Sequence, residues 1–284
     1  MEETQGTWVK VDFWIQERTW IFIKQAISST GDKNVGMYAK LAKNNAAYTT
    51  KNTGNITLGN SASLSNPNVA MYTNATSTGT NPLINVGNIT VGDNAVGMYG
   101  YEENSNGNIT VGNGSIAMYS KGGNVNVAGS ITTGNSGESV GVYTEGNGQT
   151  ITNNGATFNL GDTAFGFVNV GSGNKIISSI SNIGLNDNNV YIYSNDTKGT
   201  VINNTSITSG AGAKTNYGIY SAGTVTNNAN IDLSSGVGSV AIYSIKGGTA
   251  TNNATITVGE SDVVNKLYSI GMGAGYENSD TGNV

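Results

Sequence analysis

Apolar side chains recur along this chain in short bursts, every second residue within a burst, and the bursts themselves recur about every 24 residues. Three kinds of burst alternate. The first is "NITVG" at 88 to 92, repeated at 108 to 112 and, as "NITLG" and "TITVG", at 55 to 59 and 255 to 259. The second is "VGMYG" at 96 to 100, with relatives "IAMYS" (116 to 120), "VGVYT" (140 to 144), "YGIYS" (217 to 221) and "VAIYS" (240 to 244). The third is "TVTNNA" at 224 to 229, with "TITNNG" (150 to 155), "TVINNT" (200 to 205) and "TATNNA" (249 to 254). Alternation places Ile89 and Val91 on one side of an extended strand, so each burst predicts a strand with one apolar face. Gly and Asn between bursts predict tight corners.

A repeat of 20 to 50 residues points to a solenoid, a propeller or a repeat array. A propeller blade needs four antiparallel strands and hairpin turns in about 40 to 45 residues, whereas three short strands in about 24 residues fit a coil whose strands pair with their copies one turn on. The expectation is an all-β chain, a right-handed parallel β-helix or β-solenoid of about ten rungs covering 31–284, on the order of 45 Å long at one strand spacing per rung. Its rungs are marked by Tyr72, Tyr99, Tyr119, Tyr143, Tyr193, Tyr220, Tyr243 and Tyr268, with Phe167 expected where a tyrosine is missing. Gly, Ala and Ser near the tyrosines favour Met118, Val142, Ile219 and Ile242 inside the bore and a tyrosine ladder outside.

The "NN" pairs at Asn153 and Asn154, Asn203 and Asn204, Asn227 and Asn228, and Asn252 and Asn253 predict an inward asparagine ladder. One Asn of each pair is expected inside, amide to amide with its copies. The other is expected in the left-handed conformation of a sharp corner, which Asn and Gly tolerate.

Residues 1–30 differ in kind. They hold all three Trp and the only Arg, Arg18, and Val9, Val11, Phe13 and Ile15 alternate with polar residues like one amphipathic strand. A cap over the first rung and a mistranslated lead-in both fit them. Charged residues interrupt the opening too often for the apolar region of a signal peptide, and no apolar run reaches the length of a membrane span.

Composition narrows the chemistry. The chain has no Cys and no His, two Pro, 41 Gly, 11% charged residues and a net charge of -5. Without imidazole or thiol there is no ordinary zinc, copper or haem ligand set and no His-activated nucleophile. So weak and acidic a charge supplies no basic stripe for nucleic acid. Regular Ile, Val and Tyr argue against disorder. The asparagine-linked glycosylation triplets, such as Asn88 to Thr90, are expected by chance in so Asn- and Thr-rich a chain.

Glycan-cleaving β-helices need clustered carboxylates. Asp93, Glu138, Asp162, Asp187, Asp232 and Glu260 follow the "ITVG"-type strands, about one per rung, which predicts a solvated outer corner with at most weak cation binding. Glu102 and Glu103, the adjacent acidic pair in the coil, sit in "GYEENSNGN", read as a surface turn. "GGN" at 122 and "GGT" at 247 lack the Asp of calcium-binding nonapeptides. No catalytic, cofactor-binding or metal-ligating residue is assigned, and no cofactor.

The phrases "NITVG…AVGMYG", "GIYSAGTVTNNANI" and "VAIYSIKGGTATNNATI" resemble the passenger repeats of bacterial autotransporters, the type V secreted surface proteins, and especially long fusobacterial adhesins. The resemblance spans about 31–284. It implies a β-helix stalk displayed outside the cell and attached to a host or bacterial surface protein or glycan. It also implies an outer-membrane barrel that tethers the full-length protein, with no membrane contact by this fragment, since neither a signal peptide nor a barrel is read in the chain. Two other readings are a glycan-active β-helix enzyme of polysaccharide-lyase type and an ice-binding solenoid using threonine stripes.

Overall fold

Strand chemistry dictates the architecture: short β-branched segments too brief to be stable alone are stacked so that each is hydrogen-bonded to its copy in the windings before and after. The structure, a computed structural model, describes the backbone of residues 20–23 and the whole of residues 26–40, 49–155 and 157–275. Within them the chain is all-β without helix and winds as a parallel β-solenoid of about nine turns. At one strand spacing per turn the rod is about 45 Å long.

Each winding contributes one strand to each of three faces. Face one is a ten-stranded sheet running from Trp20–Ile23 through Leu83–Asn85 and Glu103–Ser105 to Thr249–Asn252. Face three is also ten-stranded, from Val35–Ala39 to Ile270–Ala274. Face two is split into a six-stranded sheet, Ile27–Ser29 to Phe158–Asn159, and a four-stranded one, Asn182–Leu185 to Ile256–Glu260. The coil therefore starts ahead of residue 31, because Trp20–Ile23 pairs with Thr49–Asn52 and Ile27–Ser29 with the strand starting at Asn55. The alternating segment of Val9, Val11, Phe13 and Ile15 lies outside the described residues.

The bore is filled by the alternating apolar positions. Ile56, Ile89, Ile109 and Ile131 form one aligned column, and Met71, Met98, Met118 and Val142 another. All are buried, as are Ile219 and Ile242, so the aliphatic stripe is inside and the tyrosines outside, as the small residues beside them imply. Each such side chain contributes roughly 1.5–3 kcal/mol by leaving water, but only when the windings on both sides cover it.

Register corrects the tyrosine column at three places. Tyr143 aligns with Val168, and Val142 aligns with Phe167. Phe167 is thus a bore residue, and Val168 stands where the tyrosine is missing. Tyr38 opens the column opposite Tyr72, and Gly273, not Tyr268, follows Tyr243. The split in face two coincides with a second irregularity. The second position of the face-three strand is Ala70, Gly97, Ala117, Gly141 or Gly166 in earlier windings, yet it is Tyr191 in the strand Val190–Ser194. The ring of Tyr191 enters the bore and meets Phe158 and Phe167 edge-on, at 6.4 and 5.7 Å between centroids. Its hydroxyl bonds to Ser178 Oγ at 2.5 Å, and Ser178 in turn bonds to Thr205. Burial pushes that phenol up to about 12.

The corner between faces one and two holds the expected asparagine ladder. Asn203 donates to Asn227 Oδ1 and Asn227 to Asn252 Oδ1, both at 2.7 Å. Asn52 donates to Asn85 at 2.9 Å, and Asn85 to Ser105. Asn153 stands between Val127 and Ser178 in this column and meets no hydrogen-bond partner of good geometry. The second Asn of each pair is not left-handed. Asn204, Asn228 and Asn253 form a parallel ladder on the solvent side, with amide bonds of 2.9 Å. Left-handed backbone belongs instead to the other two corners, at Asn94, Thr163 and Asn188 between faces two and three, with φ of 51, 59 and 56°, and at Asn81 and Lys246 between faces three and one, with φ of 42 and 52°. The β-branched Thr163 is strained in that conformation.

Candidate contact surface

The acidic residues are spread along the rod, and three of them fasten one winding to the next. Asp93, Asp162 and Asp187 do lie on the corner between faces two and three. Asp93 Oδ1 accepts the backbone N–H of Asn113 at 2.7 Å, Asp162 that of Asp187 at 3.3 Å, and Asp187 that of Lys214 at 2.8 Å. Each carboxylate clips its winding to the next. Asn60 and Asn113 do the same for Asp93 and Ser136. Glu138 departs from this pattern, sitting exposed in the left-handed region at φ 56°. Asp232 lies within the long strand Ile231–Val237, where Ser234 holds its carboxyl below the ordinary range. Glu260 ends the strand Ile256–Glu260. Among the described residues no three acidic side chains converge on a point that would hold a metal ion.

Because an Asn side chain offers the same acceptor as Asp, this fastening role makes a prediction. Asp187→Asn should melt within about 1 °C of the parent, whereas Asp187→Ala should lose about 1 kcal/mol, or roughly 2–4 °C. A thermal melt in the presence and absence of calcium checks it. Stabilisation by calcium that both variants lose would assign the acids to a cation instead.

Glu102 and Glu103 behave oppositely. Glu102 Oε2 accepts the N–H of Gly79 at 2.9 Å near the surface. Glu103 is not in a surface turn. It is the first residue of the strand Glu103–Ser105, between Leu83 and Val125, and is completely buried. Alternation on face one turns inward the whole column in register with it, Thr50, Leu83, Val125 and Ile151, whatever the polarity of the residue.

Faces two and three each carry a further periodic array on the outside. On face three the tyrosine rings of Tyr38, Tyr72, Tyr99, Tyr119 and Tyr143 stack at 4.7–5.4 Å between centroids, and Tyr193, Tyr220 and Tyr243 at 5.6 Å. At the interruption Phe165 leans edge-on against Tyr193 at 6.4 Å, partly making good the ring that Val168 lacks. Lys121 Nζ lies 5.6 Å above the ring of Tyr99, and Tyr119 donates to Glu145 Oε2 at 2.7 Å. Desolvation first, then the neighbouring Glu145, raises the phenol of Tyr119 well above its ordinary value, and those of Tyr72 and Tyr143 rise for want of water too. With ring faces turned to one another, the column offers ring edges and hydroxyls outward. Beside it runs an apolar column including Val140, Phe165, Val190 and Tyr217. The result is a long, half-exposed apolar band with a polar fringe, the composition of a contact surface.

Face two carries the second array. Asn55, Asn88 and Asn108 form an exposed amide ladder, with bonds of 3.0 and 3.1 Å, alongside Thr57, Thr90, Thr110 and Thr132 in register. Sequence reasoning overlooked this ladder, although the Asn that begins each "NIT" was its signal. Asn88 Nδ2 donates to Asn55 Oδ1, so the fold already uses the amide of this glycosylation triplet.

Comparison of the chain with protein-family models, with curated proteins and with solved structures returns no match.

Proposed function

We propose that this chain is a non-enzymatic, surface-displayed stalk segment of autotransporter-passenger type that mediates attachment to a host or bacterial cell surface. The observation that carries the reading is the tyrosine band of face three, repeated winding after winding along a rod with few interruptions. A repeated band lets many weak contacts add along one axis, so that attachment strengthens with length. Absence of Cys suits a chain that must cross an outer membrane unfolded.

The test is twofold. Deleting the coil in the producing cell should abolish attachment to partner cells. Replacing Tyr99, Tyr119 and Tyr143 together by Ser should reduce attachment several-fold while leaving a rod of β-type circular dichroism. Normal attachment after deletion overturns the reading, and attachment unaffected by the triple replacement moves contact off face three.

A second reading is favoured by the aligned Thr57, Thr90, Thr110 and Thr132, since a flat threonine column spaced by one strand can order water. Its neighbouring column is an amide ladder instead of a second threonine row. Thermal hysteresis of a concentrated solution decides it, and a freezing point equal to the melting point removes it.

A further inference from the structure

The interior contains one acid that the contact surface does not use. Glu103 occupies an inward column of face one that is otherwise aliphatic nearby: Leu83 lies on one side of it, and Val125 and then Ile151 on the other. It is 0% exposed, and no hydrogen bond of good geometry reaches either carboxyl oxygen, the backbone N–H of Gly100 being the donor directed toward it. Room for the longer side chain is provided at Gly100, where the windings on either side have Thr73 and Ser120 and later ones Thr144. A Cβ at Gly100 would crowd Leu83 Cδ1 and Thr73 Cγ2, each at 2.9 Å.

No opposite charge faces this carboxyl. The strands packed around it, Leu83–Asn85, Val125–Val127, Val96–Gly100 and Ile116–Ser120, carry only Tyr99 and Tyr119 as titratable groups, and both belong to the outer column. In the adjoining turn Glu102 is held near the surface by Gly79, and the exposed Lys121 lies over the outer ring of Tyr99. An ionised Glu103 would thus be a buried charge with no counter-ion and only the Gly100 N–H as a donor, too little to offset its desolvation.

We propose that this winding is a pH-sensitive joint in the rod: protonated Glu103 lets the windings on both sides seal together, and ionised Glu103 releases the strand Glu103–Ser105 from its neighbours. Burial moves the carboxyl well above its ordinary range in the folded chain. The folded state therefore keeps a proton that the unfolded chain releases. Stability from this group is full below the ordinary carboxylate range, near about pH 4, and is lost progressively as pH rises toward the raised folded value. The joint is stiff in acid and loosens on the way to neutrality.

Hydrogen exchange and thermal melting across about pH 4 to about pH 8, on the parent chain, on Glu103→Gln and on Glu103→Leu, test the proposal. The parent should lose roughly 5 °C or more of melting temperature relative to both variants over that range. Its loss of amide protection, corrected for intrinsic exchange, should concentrate at Leu83–Asn85, Glu103–Ser105 and Val125–Val127, with Thr200–Asn203 unaffected. Glu103→Leu keeps the test decisive if the Gln variant folds poorly. Parallel pH profiles for parent and variants overturn the proposal, and so does protection lost evenly along the rod.

Discussion

A Gly107→Ala chain should melt at least about 10 °C below the parent, or fail to fold, although the substitution adds only one methyl group. A Cβ at Gly107 would fall on the backbone carbonyl oxygen of Gly87 in the preceding winding, far inside van der Waals contact, with the Val86 carbonyl carbon at 2.7 Å. The same geometry repeats between Gly87 and Gly54 and between Gly129 and Gly107, so the corner between faces one and two is backbone stacked on backbone. No side chain there can swing aside. Relief requires two windings to separate, which also breaks the ladder hydrogen bonds of faces one and two and exposes Ile89 and Ile109. The cost should exceed the ordinary range for overpacking, at about 3 kcal/mol or more. The control is Gly184→Ala, where the nearest atom is Thr208 Oγ1 at 3.9 Å; it should melt within about 1 °C of the parent. Thermal melts followed by circular dichroism measure both, and equal melts would mean that the windings can move apart at this corner without penalty.

The second large effect concerns the amide ladder. Asn227→Ala removes both the acceptor of Asn203 Nδ2 and the donor to Asn252 Oδ1, and leaves the Ala229 carbonyl without its side-chain donor. Asn203 is fully buried, so water cannot replace what is lost. Leaving such groups unsatisfied costs about 1–3 kcal/mol each, and the melt should fall by roughly 6–10 °C. Asn228→Ala, one residue on, deletes an equally regular pair of bonds to Asn204 and Asn253 on the solvent side. There water competes for every amide, so the shift should stay within about 2 °C. The contrast is the informative result. Equal losses at the two positions would show that the ladders matter for their regularity and not for their burial.

The repeat made most of the architecture legible. Period, three strands per winding, and the inward placement of Ile89, Val91, Met118 and Ile219 all follow from alternation, because a strand has only two sides and one must avoid water. The asparagine pairs could be read for the same reason: a polar residue recurring in step with a buried column must satisfy itself against its own copies. Where the reading slipped, the cause was register. Assigning Phe167 to the tyrosine column shifts the strand by one residue and turns every side chain over. Aromatic character pointed one way, and the volume available in the bore decided the other. Tyr268 was misplaced because the last winding carries a longer excursion before Ile270–Ala274, which puts Gly273 in the column.

Glu103 and the corner acids show the opposite limit. "GYEENSNGN" has the composition of a surface turn, and only the stacking of Glu103 against Leu83 and Val125 reveals that its first strand position faces inward. Asp93 and Asp187 look like a solvated stripe in the sequence, yet each accepts an N–H from the next winding, a bond between residues that lie 20 and 27 positions apart.

The amino-acid sequence alone determined that the chain coils, how many strands make a winding, and that the aliphatic stripe fills the bore, because those depend on local alternation and on a period that any two copies reveal. The tertiary structure decided which polar groups are buried, which acids fasten windings together, and where the tyrosine column begins and breaks. Those outcomes depend on what lies one winding above and below, and the varying length of the corners sets that neighbour in a way no single winding records.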